Sequence, residues 1–176
     1  MPTREEYLRL WGEDNTVSFP LDEWKSRQSA PAGSWPEVDL LPIDLPVAFT
    51  AYLDGEYAPF AEVVHEVENG PRTFVVLGRA PRPETSFFVL DPDTGVVHLF
   101  GSSDKALEEV NSSFAAFVRF LFRFAQFVEA DDGQATRPAR ADVLERELRA
   151  IDAGALERAE NWWNKAVIDF LRYEPA

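Results

Sequence analysis

The stretch SFFVLDPDTGVVHLFGSSDKALEEVNSSFAAFVRFLFRFAQFV, residues 86–128, decides the fold. It opens with Ser86-Phe87-Phe88-Val89-Leu90 and Val96-Val97-His98-Leu99-Phe100, two runs rich in the β-branched and aromatic side chains that pack well on a pleated surface. Between them lies Asp91-Pro92-Asp93-Thr94-Gly95. Pro92 presets φ and Gly95 is free to take φ > 0, so the three pieces read as a β-hairpin. Further on, Asn111-Ser112-Ser113 offers side-chain oxygens to cap a helix. Behind that cap Phe114, Phe117, Val118, Leu121, Phe124, Ala125 and Val128 recur at helical spacing. Phe120, Phe122 and Phe127 widen the apolar face and leave Arg119, Arg123 and Gln126 as a narrow polar stripe. Such a helix has to be covered on nearly all sides, and the sheet that holds the hairpin is its expected bed.

Upstream of the hairpin, Thr73-Phe74-Val75-Val76-Leu77-Gly78 shows no polar alternation and reads as a central strand, closed by Pro81 and Pro83. Phe60 to Val67 reads as the strand before it. There Val63, His65 and Val67 share one face and Glu62, Glu66 and Glu68 the other, as a two-residue period requires. Asn69-Gly70-Pro71 makes the turn between these strands. Val47 to Leu53 is expected to be a further strand, ended by the hairpin signal Asp54-Gly55. From Asn15 to Pro46 the prolines at 20, 31, 36, 42 and 46 forbid long helices, so loops and turns are expected, pinned by Trp24, Trp35, Leu40, Leu41, Ile43 and Leu45. At the start, Tyr7, Leu8 and Trp11 space a short amphipathic helix that Gly12 ends.

Downstream of Val128, Glu129 to Arg140 reads as an exposed loop containing Gly133 and Pro138. Two C-terminal helices follow. Val143, Leu144, Leu148 and Ile151 space the first, with Gly154 at its end; Leu156, Ala159, Trp163, Ala166, Val167, Phe170 and Leu171 space the second, with Trp162 at the edge of the stripe. The sum is an α+β chain, residues 1–176 in one domain, with a mainly antiparallel sheet of about five to six strands packed against helices.

Composition narrows the function. Hydrophobic residues at 45% and aromatic residues at 13% suit a globular protein with a substantial core. The formal charge of -14, from 31 acidic and 17 basic residues, repels nucleic acid and anionic membranes alike. Partners are expected to be neutral or basic. Cysteine is absent, which excludes disulfides and thiolate chemistry. The N-terminus has no signal-peptide pattern, and no uncharged run approaches the ~18 residues of a membrane span. A cytoplasmic protein is expected.

Catalytic signatures are weak. Asp93-Thr94-Gly95 matches the short loop of aspartic proteases, which work with two copies so that paired carboxylates share a proton. One copy is present, where a hairpin needs a turn. Asp91 and Asp93 form an Asp-x-Asp pair of the kind that holds a divalent metal, without neighbouring oxygen ligands. His65 and His98 are the two histidines, and a two-histidine metal site lacks a third ligand here. No phosphate loop, nucleophile elbow or His-Glu-x-x-His occurs. Neither an enzyme nor a cofactor is expected. Arg119 and Arg123, four apart, are read as a solvated or ion-paired stripe rather than an anion grip.

The hairpin Phe88-Val89-Leu90-Asp91-Pro92-Asp93-Thr94-Gly95-Val96-Val97, followed by Asn111-Ser112-Ser113-Phe114-Ala115-Ala116-Phe117-Val118-Arg119-Phe120, resembles the SUKH superfamily of bacterial immunity proteins. Within it the pattern is similar to the subgroup common in actinomycetes, which pairs Leu-Asp-Pro-x-Thr-Gly with an Asn-Ser-Ser helix start. Arg149-Ala150-Ile151-Asp152 through Leu156 to Trp162-Trp163 is also similar to that subgroup. Residues 1–46 align poorly: Leu45-Pro46 answers to the family's Gly-Leu-Pro, with Asp44 where the glycine stands. The resemblance covers about residues 45 to 172. It implies a domain that binds and neutralises a toxin, often a nuclease or nucleic-acid deaminase, and it brings no catalytic residues. A scaffold domain, like the yeast cell-wall-synthesis regulators of the same superfamily, is the alternative it allows.

Charge agrees with a basic toxin as partner. Glu62, Glu66 and Glu68 on one strand, with Asp91 and Asp93 expected to protrude from the neighbouring hairpin tip, form the candidate acidic contact set.

Overall fold

The structure is a computed structural model that describes residues 2–27, 30–53, 57–68, 70–81, 86–101 and 106–173. The helix α1 (Arg4–Trp11) is closed at its start by a capping box: Glu6 N–H donates to Thr3 Oγ1 and Thr3 N–H to the Glu6 carboxylate. Gly12 ends it at φ 85°. β1 (Thr16–Ser18) follows, then α2 (Leu21–Arg27), then β2 (Leu40–Pro42), which pairs with β1 as a separate two-stranded sheet. These elements replace the loops expected between Asn15 and Pro46. Their prolines sit at the edges, with Pro20 just ahead of α2, where a missing N–H costs nothing.

The main sheet contains β3 (Asp44–Leu45), β4 (Phe49–Thr50), β5 (Glu62–Val67), β6 (Gly70–Arg79), β7 (Ser86–Leu90), β8 (Val97–Gly101) and β9 (Leu107–Asn111). All its pairings are antiparallel. β5 to β9 form a five-strand meander, and β3 and β4 attach through Thr50 opposite Arg79. The α+β class with a mainly antiparallel sheet is therefore observed, with β9 and the very short β3 added to the expected set. The strand expected over Val47–Leu53 shrinks to β4. Ala48 N–H donates to Leu45 C=O across Pro46 and Val47, and Val47 takes φ 72°, a tight turn that a valine adopts only under strain. The turn expected at Asp54-Gly55, and Asn69 and Pro83 of the other expected breaks, lie outside the described residues.

On one face of the sheet lies α3 (Phe114–Glu129), whose first turn is capped by Ser113 accepting from Ala116 N–H at 3.1 Å. Phe117, Phe120 and Leu121 are fully buried against Val75, Leu77, Phe88, Leu90 and Val97. The expected aromatic helix on its sheet is the centre of the core. Val128, expected on the apolar face, is 41% exposed at the last turn. Tyr7 and Trp11 of α1 close over Phe122 from outside.

The C-terminal part differs from its reading in several places: Val143, expected inside, is 46% exposed, and Leu156 and the exposed Ala159, expected in the last helix, precede it. α4 (Arg137–Ile151) begins inside the expected loop, with Pro138 in its first turn, where proline is at home. The last helix opens with Trp163–Ile168 wound as a π-helix before α5 (Asp169–Arg172). Wider winding shifts every later side chain relative to a 3.6-residue period. Trp162 and Trp163 are both buried at the start of the π-helix, and Phe170, beyond the wide turn and expected inside, is 54% exposed.

Candidate partner-binding surface

β5 shows how the acidic row is made. Val63, His65 and Val67 turn to the open face of the sheet, where they adjoin a small cluster of Leu53, Phe74, Val76, Phe87 and Val89. The alternate positions Glu62, Val64 and Glu66, with Glu68 just beyond the strand, are exposed. Glu62 stands opposite Val75 and Val64 opposite Thr73. Val75 belongs to the core under α3, so the acidic row lies on the helix side of the sheet. Thr73 and Pro71 are exposed there as well, because β5 and the start of β6 extend past the helix.

The hairpin tip departs from its reading. Asp91 does not protrude: it is 2% exposed, and its carboxylate accepts from Arg72 Nη1 at 2.6 Å and from Asp93 N–H at 3.0 Å. One oxygen is committed to Arg72 on β6 and the other to the turn itself, so Asp91 ties the turn to the sheet and is buried rather than presented at the tip. Pro92 is buried too, and Asp93 and Thr94 are exposed. Gly95, at φ 79°, presses on Ser34 so closely that an added Cβ would lie 2.3 Å from the Ser34 Cβ. Its carbonyl accepts from Phe114 N–H at 2.7 Å. The tip is thus clamped between the N-terminal segment and the start of α3.

The second motif is equally structural. Asn111 is fully buried and donates from Nδ2 to Asp152 Oδ2 at 3.1 Å, while its Oδ1 accepts from Trp163 Nε1 at 2.9 Å. Asp152 Oδ2 also accepts from Ser112 N–H at 2.8 Å. The Asn-Ser-Ser start and the distant Asp152 and Trp163 are parts of one buried network. Sequence reading took Asn111 only as a possible cap.

On the open face, Tyr57, Val63, His65, Phe74, Phe100 and Leu107 surround a shallow groove of about 110 Å³. Both histidines lie beside it, His65 with its ring 5.0 Å from Phe100 and His98 with its ring 5.9 Å from Phe74. Burial pushes the His98 imidazole below its ordinary pKa, and the Asp91 carboxylate partly offsets this. Among the described residues no three acidic or histidine side chains group as metal ligands do. Of the candidate contact set, Glu62, Glu66, Glu68 and Asp93 are exposed, and Val64 is the residue that the sequence reading passed over. Its signal was present, since the period that groups Glu62 with Glu66 places Val64 between them.

No helix among the described residues is long and apolar enough to cross a membrane. A family model described as SUKH-4 immunity protein matches residues 31–169, reaching further toward the N-terminus than the motifs do. Neither a curated protein nor a solved structure matches the chain.

Proposed function

Because the chain belongs to the SUKH-4 immunity protein family, we propose that it binds and neutralises a cognate polymorphic toxin by direct contact in the cytoplasm, and that the toxin acts on nucleic acid as a nuclease or deaminase. The family match over most of the chain is the observation that carries this reading. The charge of -14 supports a basic partner, because proteins that handle nucleic acid carry basic surfaces. Inhibition is by occupancy, with no turnover by the immunity protein.

The surface we assign to this contact is the exposed acidic row Glu62, Glu66 and Glu68 with Asp93. Clamping of the hairpin and the burial of Asn111 support it indirectly: the buried residues of both family motifs serve the fold, which leaves recognition to exposed positions, Asp93 among them.

The test is co-expression with the C-terminal domain of a large secreted toxin encoded in the neighbouring reading frame. Cells carrying both should grow, and the two proteins should co-purify. Growth arrest unrelieved by this chain, together with separate elution of the two proteins, would remove the assignment.

A further inference from the structure

Among the described residues the main sheet ends at three edges, and two are covered by other parts of the chain. At β3, Asn15 donates from Nδ2 to Asp44 C=O at 2.9 Å and accepts Asp44 N–H on Oδ1 at 3.0 Å. Along β9 packs the turn Gly154–Leu156, and Trp162 N–H donates to the Glu108 carboxylate at 3.1 Å. β5 is different: among the described residues it pairs with β6 alone.

The register fixes which groups face that edge. Glu66 stands opposite Pro71, which has no N–H, so theirs is the non-hydrogen-bonded kind of pair. Alternation then makes 63 with 74, 65 with 72 and 67 with 70 the bonded pairs. The main-chain N–H and C=O groups of Val64 and Glu66 therefore point away from β6. β5 contains no lysine, proline or bulge, and the charges it carries are carboxylates, which blunt the edge against an acidic strand and leave it open to a basic one. It runs for six residues without a register shift, and Val64, 71% exposed, sits at its middle.

We propose that β5 is extended by a strand from the partner: an extended basic segment pairs with its outer edge and becomes the eighth strand of the sheet. This rests on the toxin-binding reading above and adds how the toxin is held. Main-chain bonds supply the attachment, and the carboxylates of Glu66 and Glu68 select lysine or arginine at alternate positions of the incoming strand. A second copy of this chain fits poorly. Antiparallel self-pairing about Val64 would set Glu62 opposite Glu66, and like charges directly opposite destabilise a strand pair.

Amide hydrogen exchange on the complex with the neighbouring-frame toxin domain tests this without any substitution. The Val64 and Glu66 amides should slow by roughly tenfold or more on binding. Val64→Pro supplies a second readout. It removes an outward N–H and leaves the β6 ladder intact, so its unfolding midpoint should stay near the parent's while toxin affinity falls about tenfold, the worth of one main-chain hydrogen bond. A complex that forms with both amides unprotected overturns the strand addition and leaves the immunity reading standing. Protection that rises with protein concentration in the absence of toxin overturns it in favour of self-pairing. Failure of the toxin domain to bind or to be neutralised removes the functional reading, and this inference with it.

Discussion

Gly78 and Asn111 are single residues on which whole contacts depend. A Cβ at Gly78 would come within 2.5 Å of the Phe49 ring and 2.6 Å of the Thr50 carbonyl. Backbone cannot retreat as a flexible side chain does, so Gly78→Ala should cost about 2 kcal/mol in urea unfolding, within the usual range for overpacking. Asp152→Ala should cost about 2–3 kcal/mol by the same measurement, because it strands the Asn111 amide and the Ser112 N–H without their shared acceptor. His98 gives a pH signature. Its folded pKa lies below the ordinary 6.5, so between the two values the unfolded chain binds more protons than the native state. Stability is then complete above the unfolded value and falls as pH drops through it toward the folded one. His98→Gln should flatten that slope when urea midpoints at about pH 7.5 and about pH 5.5 are compared. The local roles of these residues were hard to read in advance. Asp91 looked exposed because turn aspartates usually are, and its bond to Arg72, nineteen positions away, has no local signal in the sequence.

At the scale of elements, the hairpin and α3 carry the fold. Phe117→Ala and Leu121→Ala should each cost about 3 kcal/mol or more, since both side chains are fully buried and truncation leaves a cavity. Arg119→Ala, on the polar stripe, should remain within about 0.5 kcal/mol of the parent. Chemical denaturation that puts the two core variants near the parent would show that α3 is not central. These elements were legible because each carries its own local signals: β-branched runs around a Pro-Gly turn, and a Ser113 cap ahead of a helical period. Gly12 and the alternation in β5 were readable for the same reason. β9 was not, although it pairs with the strand just before it, because Glu108 and Glu109 interrupt its apolar pattern. α2 was hidden among prolines that turned out to flank it, and the π-helical turn has no sequence period of its own. Of the candidate surface, the acidic row was visible as a pattern, but only the register on β6 shows which side of the sheet it occupies.

For the whole molecule, charge sets the kinetics of the proposed encounter. With a net charge of -14, association with a basic toxin should be fast at low salt and slow steeply as salt rises, because the attraction is screened over ~8 Å at physiological ionic strength. Reversing Glu62, Glu66 and Glu68 to lysine as a group, and Asp93 separately, should lower the association rate in stopped-flow mixing. Rates and cell protection unchanged in both would exclude this surface. The buried Asn111 network has a consequence in time. Its members come from positions 111, 152 and 163, so the network beside the start of α3 stays incomplete until Trp163 has left the ribosome. A protein read out from N- to C-terminus can wind its central helix on the local Ser113 cap, but leaves Asn111 without both of its partners until Asp152 and Trp163 arrive. A message cut short after α4, which lacks Trp163, should yield a product that is degraded faster than the parent in a pulse-chase measurement.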